Sequence, residues 1–406
     1  MSHIDKLIQE LCPDGVEFKA LSDLTTKTSN VRWSDTAKES YRYIDLSSVD
    51  RVTKQIHQTV EITTDDAPSR ARQLVQSGDV IFATTRPTQM RWTVIPEEYD
   101  GQIASTGYCV LRPDSEQVLT GFLAHSLGTE TFKQYVTAQQ VEGNYPSIPD
   151  TRVRAFRLPV PPLEVQREIV SILDKFTALE AELEAELEAR KQQYEHYRTE
   201  LLNPGDDAEW STLAGVSKHV SSGGTPKAGK AEFYEDGTIP WLRTNEVRFA
   251  DVWETEVKIT EEAVRQTSAK WVPADTVVVA ISGATAGRSA VTRIPLTTNQ
   301  HCCNLEINPY QADFRYVFHW IASRYQELKA LGRGARSDLN AAIIKSFPIP
   351  VPSLAEQRQI VEKLDAFDAL TTDLSVGLPA ELAARRKQYE YYRDRLLTFK
   401  ELEVQS

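Results

Sequence analysis

The sequence offers few groups that could do covalent chemistry, and each fails on spacing. Gly224-Thr-Pro-Lys-Ala-Gly-Lys230-Ala231 comes within one residue of a phosphate-cradling loop. Such a loop needs Ser or Thr after its lysine to hold magnesium, and Ala231 has no hydroxyl. Glu17, Lys19 and Asp150 are residue types found in nucleases, but nothing in their spacing groups them. The seven histidines stand singly, without the short-gap spacing of metal ligands. Cys12, Cys109, Cys302 and Cys303 are too few and too unevenly placed for a disulfide scaffold or a zinc site. No catalytic residue and no metal ligand is therefore expected in this chain.

What the chain does carry is side chains that match base edges. Arg, Lys, Asn, Gln, Ser and Thr present donors and acceptors complementary to those in the grooves of DNA. One loop, after a candidate strand, holds Arg86, Thr88, Gln89 and Arg91; at the analogous place further on lie Ser282, Thr285 and Arg288. A second kind of loop precedes a proline-rich leader, with Gln139 and Asn144 in the first instance and Arg333 and Arg336 in the second. Lys227, Lys230, Arg243 and Asn245 are further candidates. Local charge agrees. Arg70, Arg72, Arg86 and Arg91 face only Asp79 over residues 68–92. Arg324, Lys329, Arg333, Arg336 and Lys345 face only Glu327 and Asp338 over 324–345.

Loops of this kind need a scaffold. Tyr41-Arg-Tyr-Ile-Asp-Leu46, Asp79-Val-Ile-Phe-Ala-Thr84, Tyr108-Cys-Val-Leu-Arg112 and Thr276-Val-Val-Val-Ala-Ile281 have the composition of strands bounded by turn residues. Gly121 to Val141 and Phe314 to Leu331 have helical patterning. Asn308-Pro309 is expected to be a turn after a strand.

The strongest signal is an internal repeat. Residues 159–179, PVPPLEVQREIVSILDKFTAL, return at 350–370 as PVPSLAEQRQIVEKLDAFDAL. KQQYEHYRTELL at 191–202 returns as RKQYEYYRDRLL at 386–397. Val16-Glu-Phe-Lys-Ala-Leu21 is echoed by Ala208-Glu-Trp-Ser-Thr-Leu213. The chain is thus a variable segment and a helical segment, each occurring twice. In the first helical copy, apolar residues at Val165, Ile169, Ile172, Phe176, Leu179 and Leu183 recur at alternating gaps of three and four, the mark of a coiled-coil seam. The second copy offers Ile360, Leu364, Phe367, Leu370 and Leu374, with a break expected near 377–380 from Gly377 and Pro379. Residues 163–202 as one helix would reach about 60 Å. Two such similar helices in one chain are expected to pair with each other, antiparallel.

Composition closes off other classes. Forty-six Lys and Arg against 58 Asp and Glu give a net charge of −12, so any grip on nucleic acid must be local rather than global. The longest apolar run, Val277 to Ile281, is far too short for a membrane span. The opening Met1-Ser-His-Ile-Asp-Lys-Leu has acids and helical alternation, unlike a secretory leader. Free cysteines and no leader point to the cytoplasm.

This arrangement resembles the specificity subunit of type I restriction-modification systems over the whole chain. The residues that carry the resemblance are Leu11-Cys-Pro-Asp-Gly-Val-Glu-Phe-Lys-Ala-Leu21 and the two Pro-X-Pro leaders with their Gln-Arg and Ile-Val helices. Ser105-Thr-Gly-Tyr-Cys-Val-Leu-Arg-Pro113, Ser222-Gly-Gly-Thr-Pro-Lys227 and Ile239-Pro-Trp-Leu-Arg-Thr-Asn245 add to it. The resemblance implies an α/β fold class: two α/β target-recognition domains separated by two long helices forming an antiparallel coiled coil, with a pseudo-two-fold internal repeat. The expected boundaries are 1–157 and 205–346 for the domains, and 158–204 and 347–406 for the central and C-terminal spacer helices. It implies a chain that is not itself an enzyme. Such a chain binds a bipartite double-stranded DNA target and docks two methyltransferase subunits, together with restriction subunits where these exist. The chain itself is expected to hold no cofactor; S-adenosylmethionine belongs to the methyltransferase partner. Two alternatives remain. One is an orphan specificity subunit that redirects a resident system. The other is a stand-alone DNA methyltransferase, disfavoured because Asn308-Pro-Tyr-Gln311 lacks the second proline of Asn-Pro-Pro-Tyr.

Overall fold

In the computed structural model, residues 3–35, 40–205, 208–332, 338–372 and 377–402 are described. The proline leaders set the plan. Pro lacks an N–H and fixes φ, so each leader stays extended and pairs as an edge strand. Arg157–Val160 runs antiparallel to Glu17–Ala20, and Pro348–Pro350 runs antiparallel to Trp210–Thr212. The segments that echo each other in sequence, near 17 and near 210, thus take the same structural part.

The chain divides into two units, Met1–Glu184 with Glu381–Ser406, and Ala185–Ala380. The first contains α1 (His3–Leu11), α2 (Thr120–Ser126), α3 (Glu130–Gln139), α4 (Asp150–Arg154) and the first half of α5 (Leu163–Leu201). Its central sheet is antiparallel, in the order Thr25–Thr26, Tyr108–Pro113, Val80–Ala83, Trp92–Val94. A second, mixed sheet of five strands includes Tyr41–Ile44 parallel to Ile103–Ser105. The predicted strands around 41, 79 and 108 are all present. The helix predicted over 121–141 is two helices, because Thr129 caps a new one by accepting from the N–H of Phe132.

The second unit contains the rest of α5, then α6 (Glu261–Gln266), α7 (Phe314–Ser323), α8 (Tyr325–Ala330), α9 (Ala341–Ser346) and α10 (Leu354–Thr372). The helix predicted over 314–331 is likewise interrupted, at Arg324. The five-stranded sheet runs Ser217–Ser222, Cys302–Ile307, Val277–Ala280, Ser289–Thr292, Asp251–Val252. A four-stranded sheet is built around Ile239–Leu242 and Leu296–Thr298. Asn308 begins a turn as expected, its side chain accepting from the N–H of Tyr310.

The last helix, α11 (Leu378–Leu396), belongs to the first unit apart from its opening turn. The expected break is present. Gly377 is not helical, and Pro379 sits in the first turn of α11, where a missing N–H costs nothing. In the first unit α5 and α11 pair antiparallel: Phe176 stacks on Tyr392 with ring centroids 5.4 Å apart, and Glu180 and Glu184 both accept from Arg386. In the second unit Tyr194 and Tyr197 of α5 stack on Phe367 of α10.

The seam needs correction. Leu179 is 45% exposed and Leu370 37% exposed, so neither lies in it. Their places are taken one residue later, by Glu180 bound to Arg386 and by the buried Thr371. A helix of 3.6 residues per turn drifts against a strict 3.5-residue pattern, and here the drift moves the face by one residue in both copies. Ile169 is buried in the core of the first unit, so α5 begins on its own domain before it reaches a helical partner. Ile172 packs at the edge of that core, and Ile360, Leu364 and Phe367 pack with the core of the second unit. Leu183 is half-buried; Leu374 lies outside the described residues. No described helix is long and apolar enough to cross a membrane.

Candidate nucleic-acid interface

Each unit brings its two predicted loop types together. In the first, residues 84–91 leave the strand Val80–Ala83 and return as Trp92–Val94. The segment 139–148 lies beside them: the N–H of Arg86 donates to Pro146 O at 2.7 Å, and the N–H of Ile148 donates to Thr84 O at 2.9 Å. In the second unit, the N–H of Leu339 donates to Ile281 O at 2.8 Å, and the N–H of Gly283 donates to Asp338 Oδ1 at 3.1 Å. The strand-following loop and the segment before the leader thus share one edge in both units.

The two strand-following loops also share a backbone. Phe82 faces Trp92 across the first hairpin, and Val279 faces Ser289 across the second. In the first loop φ is positive at Arg86 (51°) and Met90 (50°); in the second it is positive at Gly283 (76°) and Gly287 (87°). With the hairpins aligned, these are equivalent positions. Glycine takes this conformation freely, whereas a side chain there costs about 1–2 kcal/mol. The first unit therefore holds two strained residues where the second holds none, a pattern found where side chains serve a function.

Arg86 is exposed, and its guanidinium lies 5.2 Å from the ring centroid of Tyr145, itself 70% exposed. Thr88 and Asn144 are exposed, Gln89 and Arg91 half-buried. Gln139 is half-buried, and its carbonyl accepts from Arg152. In the second unit, Ser282 and Arg288 are half-buried, and Thr285 donates to Thr244 O at 2.8 Å, joining the loop to Asn245, which is exposed. Arg243 is less available than its sequence position implies, because Glu246 and Glu256 both bind it, at 3.3 and 2.7 Å. Lys230 pairs with Glu232 at 2.8 Å, and Lys227 is exposed. Their loop is anchored by Trp241 Nε1 donating to Gly224 O at 3.0 Å. Arg333 and Arg336 lie outside the described residues.

Two residues escaped the sequence reading. Tyr145 carried no signal beyond exposure in a polar loop. Lys54 comes from far upstream, donating to Met90 O at 2.5 Å and lying 5.4 Å from the ring centroid of Trp92. Burial, with repulsion from Arg393 and Arg91, lowers its pKa to about 8.

Behind the loops, histidines that look isolated in sequence tie the domains to the helices. His125 on α2 lies 2.9 Å from Asp174 of α5 and 2.9 Å from the Tyr389 hydroxyl of α11. His319 on α7 lies 2.7 Å from Asp365 of α10. Asp174 and Asp365 are the same position of the repeat. In the second unit His319, Asp365 and Asp368 come close enough to resemble a ligand set, but Arg315 binds Asp365 and Asp251 and supplies the positive charge there. Burial pushes Asp365 up, yet bonds from His319 and Arg315 outweigh it and hold the carboxyl below its usual range. Burial raises Asp368 and Tyr194, and raises Tyr389 to about 12. These are structural ties between domain and helix.

Comparison with known proteins fixes the family. The type I restriction modification DNA specificity domain matches twice, at residues 13–189 and 206–384. The chain belongs to this family of type I specificity subunits. The specificity subunit of the type I restriction enzyme EcoR124I/EcoR124II of Escherichia coli is 41% identical over 252 residues, which is 60% of this chain and 62% of that one. The EcoprrI specificity subunit of Escherichia coli is 35% identical over 221 residues, 51% of this chain and 54% of that one. The matched part thus spans less than two thirds of either relative. A chain from a solved type I R-M assembly has the same fold, with a TM-score of 0.65 at 23% identity, covering 95% of this chain and 98% of that chain. The two specificity domains and the helices described above are the family's architecture, and the gap between the two matches, 190–205, takes in the last turns of α5 and the segment that follows it.

Proposed function

We propose that this type I specificity subunit reads a split, asymmetric DNA site, one half-site for each α/β domain, and places methyltransferase subunits on it. The observation that carries this is the pair of hairpin loops. They share a backbone and an adjacent pre-leader segment but differ in side chain at equivalent positions, Arg86 against Gly283 and Gln89 against Ala286. Equal scaffolds with unequal readers suit a target whose halves differ. Base contacts give specificity, and phosphate contacts give salt-sensitive affinity.

The chain is the non-catalytic member of the complex. Its acidic helix faces, with Glu182, Glu186 and Glu188 exposed, are the docking surface for two methyltransferase subunits, and restriction subunits join where the system has them. Methyl transfer from S-adenosylmethionine takes place on the partner. The work is done in the cytoplasm, where the DNA is.

The test exchanges residues 16–152 for the corresponding region of another specificity subunit, assembles the complex and maps methylated sites. The expected result is one altered half-site and one retained. Two unchanged half-sites would overturn the reading, as would methyl transfer by the purified chain alone.

A further inference from the structure

Arg91 and Arg288 stand at one and the same position of the two domains. Each is the last residue of its hairpin loop, and each accepts through its carbonyl the N–H of the residue that ends the outgoing strand: Ala83 to Arg91 at 2.8 Å, Ala280 to Arg288 at 2.9 Å. The residues between differ almost throughout, yet the arginine is present in both.

Both side chains are half-buried, and in both the Nε is buried with no hydrogen-bond partner. Neither guanidinium forms a hydrogen bond or an ion pair among the described residues. The other half-buried arginines do, for example Arg112 on Asp79 and Arg315 on Asp365. A partly desolvated cation without a counter-charge is costly, and a protein that keeps two of them at equivalent places has an anion to meet. In the first unit Lys54 experiences Arg393 and Arg91 as like charges, with Asp50 opposing them. In the second, Gly287 next to Arg288 packs against Tyr325 and the stem of Lys329.

The ligand must be common to two sites whose other loop residues differ. A base need not be common to two unlike half-sites, whereas the phosphodiester always is. The planar fork of arginine suits a phosphate. We infer that Arg91 and Arg288 are equivalent phosphate anchors, one in each domain, which hold the DNA backbone without reading sequence, while the residues that differ between the loops read the bases. This rests on the DNA-reading function proposed above and divides its residues into positioning and reading groups.

The experiment uses the full chain assembled with its methyltransferase subunits. Binding to specific and unrelated duplexes is measured across a salt series, and methylated sites are mapped. R91Q and R288Q should each weaken binding to every duplex by about tenfold and lower the salt slope by about 0.9, with the methylated sequence unchanged. An altered half-site would make that arginine a base reader, and unchanged affinity and slope would remove the contact; either overturns the inference. Should a glutamine variant melt early, R91K and R288K decide: charge retained with a wild-type slope supports the anchor, and a reduced slope overturns it. If the wild-type complex prefers no sequence, it is the DNA-reading function that falls, and that is visible without any variant.

Discussion

Gln166 and Gln357 make the same three hydrogen bonds, one set in each unit. Gln166 Oε1 accepts from the N–H of Leu119 at 2.9 Å, and its Nε2 donates to Gln117 O and Pro161 O, both at 2.9 Å. Gln357 accepts from the N–H of Asp313 at 2.8 Å and donates to Gln311 O at 3.3 Å and Pro352 O at 2.8 Å. Both side chains are fully buried. The repeated glutamine is thus a latch that fixes the start of each long helix to its domain. Gln166→Ala and Gln357→Ala each strand a buried N–H and two carbonyls, and should each destabilise by about 1–3 kcal/mol. Denaturant unfolding measures this, and a loss within error at both sites would refute the latch.

Met90 occupies a left-handed conformation that Gly287 occupies in the other domain. Met90→Gly should therefore raise stability by about 1 kcal/mol, the strain released being offset in part by the entropy of glycine in the unfolded chain. Thermal melting of the two proteins is the comparison, and a destabilised variant would show that the methionine side chain contributes more than its backbone costs.

Arg386 joins α11 to Glu180 and Glu184 of α5 at a level where the seam is polar. Arg386→Ala should cost about 1 kcal/mol, since the pair is partly exposed. The loss should shrink in high salt. A salt-independent loss would assign the effect to packing of the arginine stem instead.

Asp365 gives the second unit an acid-sensitive tie. Its folded pKa lies below the ordinary value of 3.8, through His319 and Arg315, so its stabilisation is present above 3.8 and is lost as pH falls through the lower folded value. Asp368, raised by burial, works in the opposite sense. Asp365→Asn should flatten the acid limb of the stability profile below about pH 4. An identical acid limb in both proteins would remove Asp365 from the account.

All four cysteines are buried, and burial pushes Cys12 up and raises Cys109, Cys302 and Cys303 to about 12. Since the thiolate is the nucleophile, the native protein should titrate slowly with a thiol reagent at pH 8 and the unfolded chain quickly. Fast labelling of even one native thiol would show that its site opens.

The sequence by itself determined what depends on local pattern. The repeat, the extended proline leaders, the strands near residues 41, 79, 108 and 276, and the break at Gly377 and Pro379 all follow from chain chemistry over a few residues, and they were sufficient to reveal the family. The loops that differ between the copies could also be located, because the repeat sets the two variable segments side by side. Tertiary structure decided what those patterns do in space. It moved the seam from Leu179 to Glu180, because true helical pitch accumulates over many turns. It tied Arg243 to two glutamates and left the Nε of Arg91 and of Arg288 without a partner among the described residues, because the partner of a charge is set by contacts distant in sequence. It turned solitary histidines into ties between domain and helix for the same reason. Periodicity is written along the chain; the company a side chain keeps is fixed only when remote segments pack.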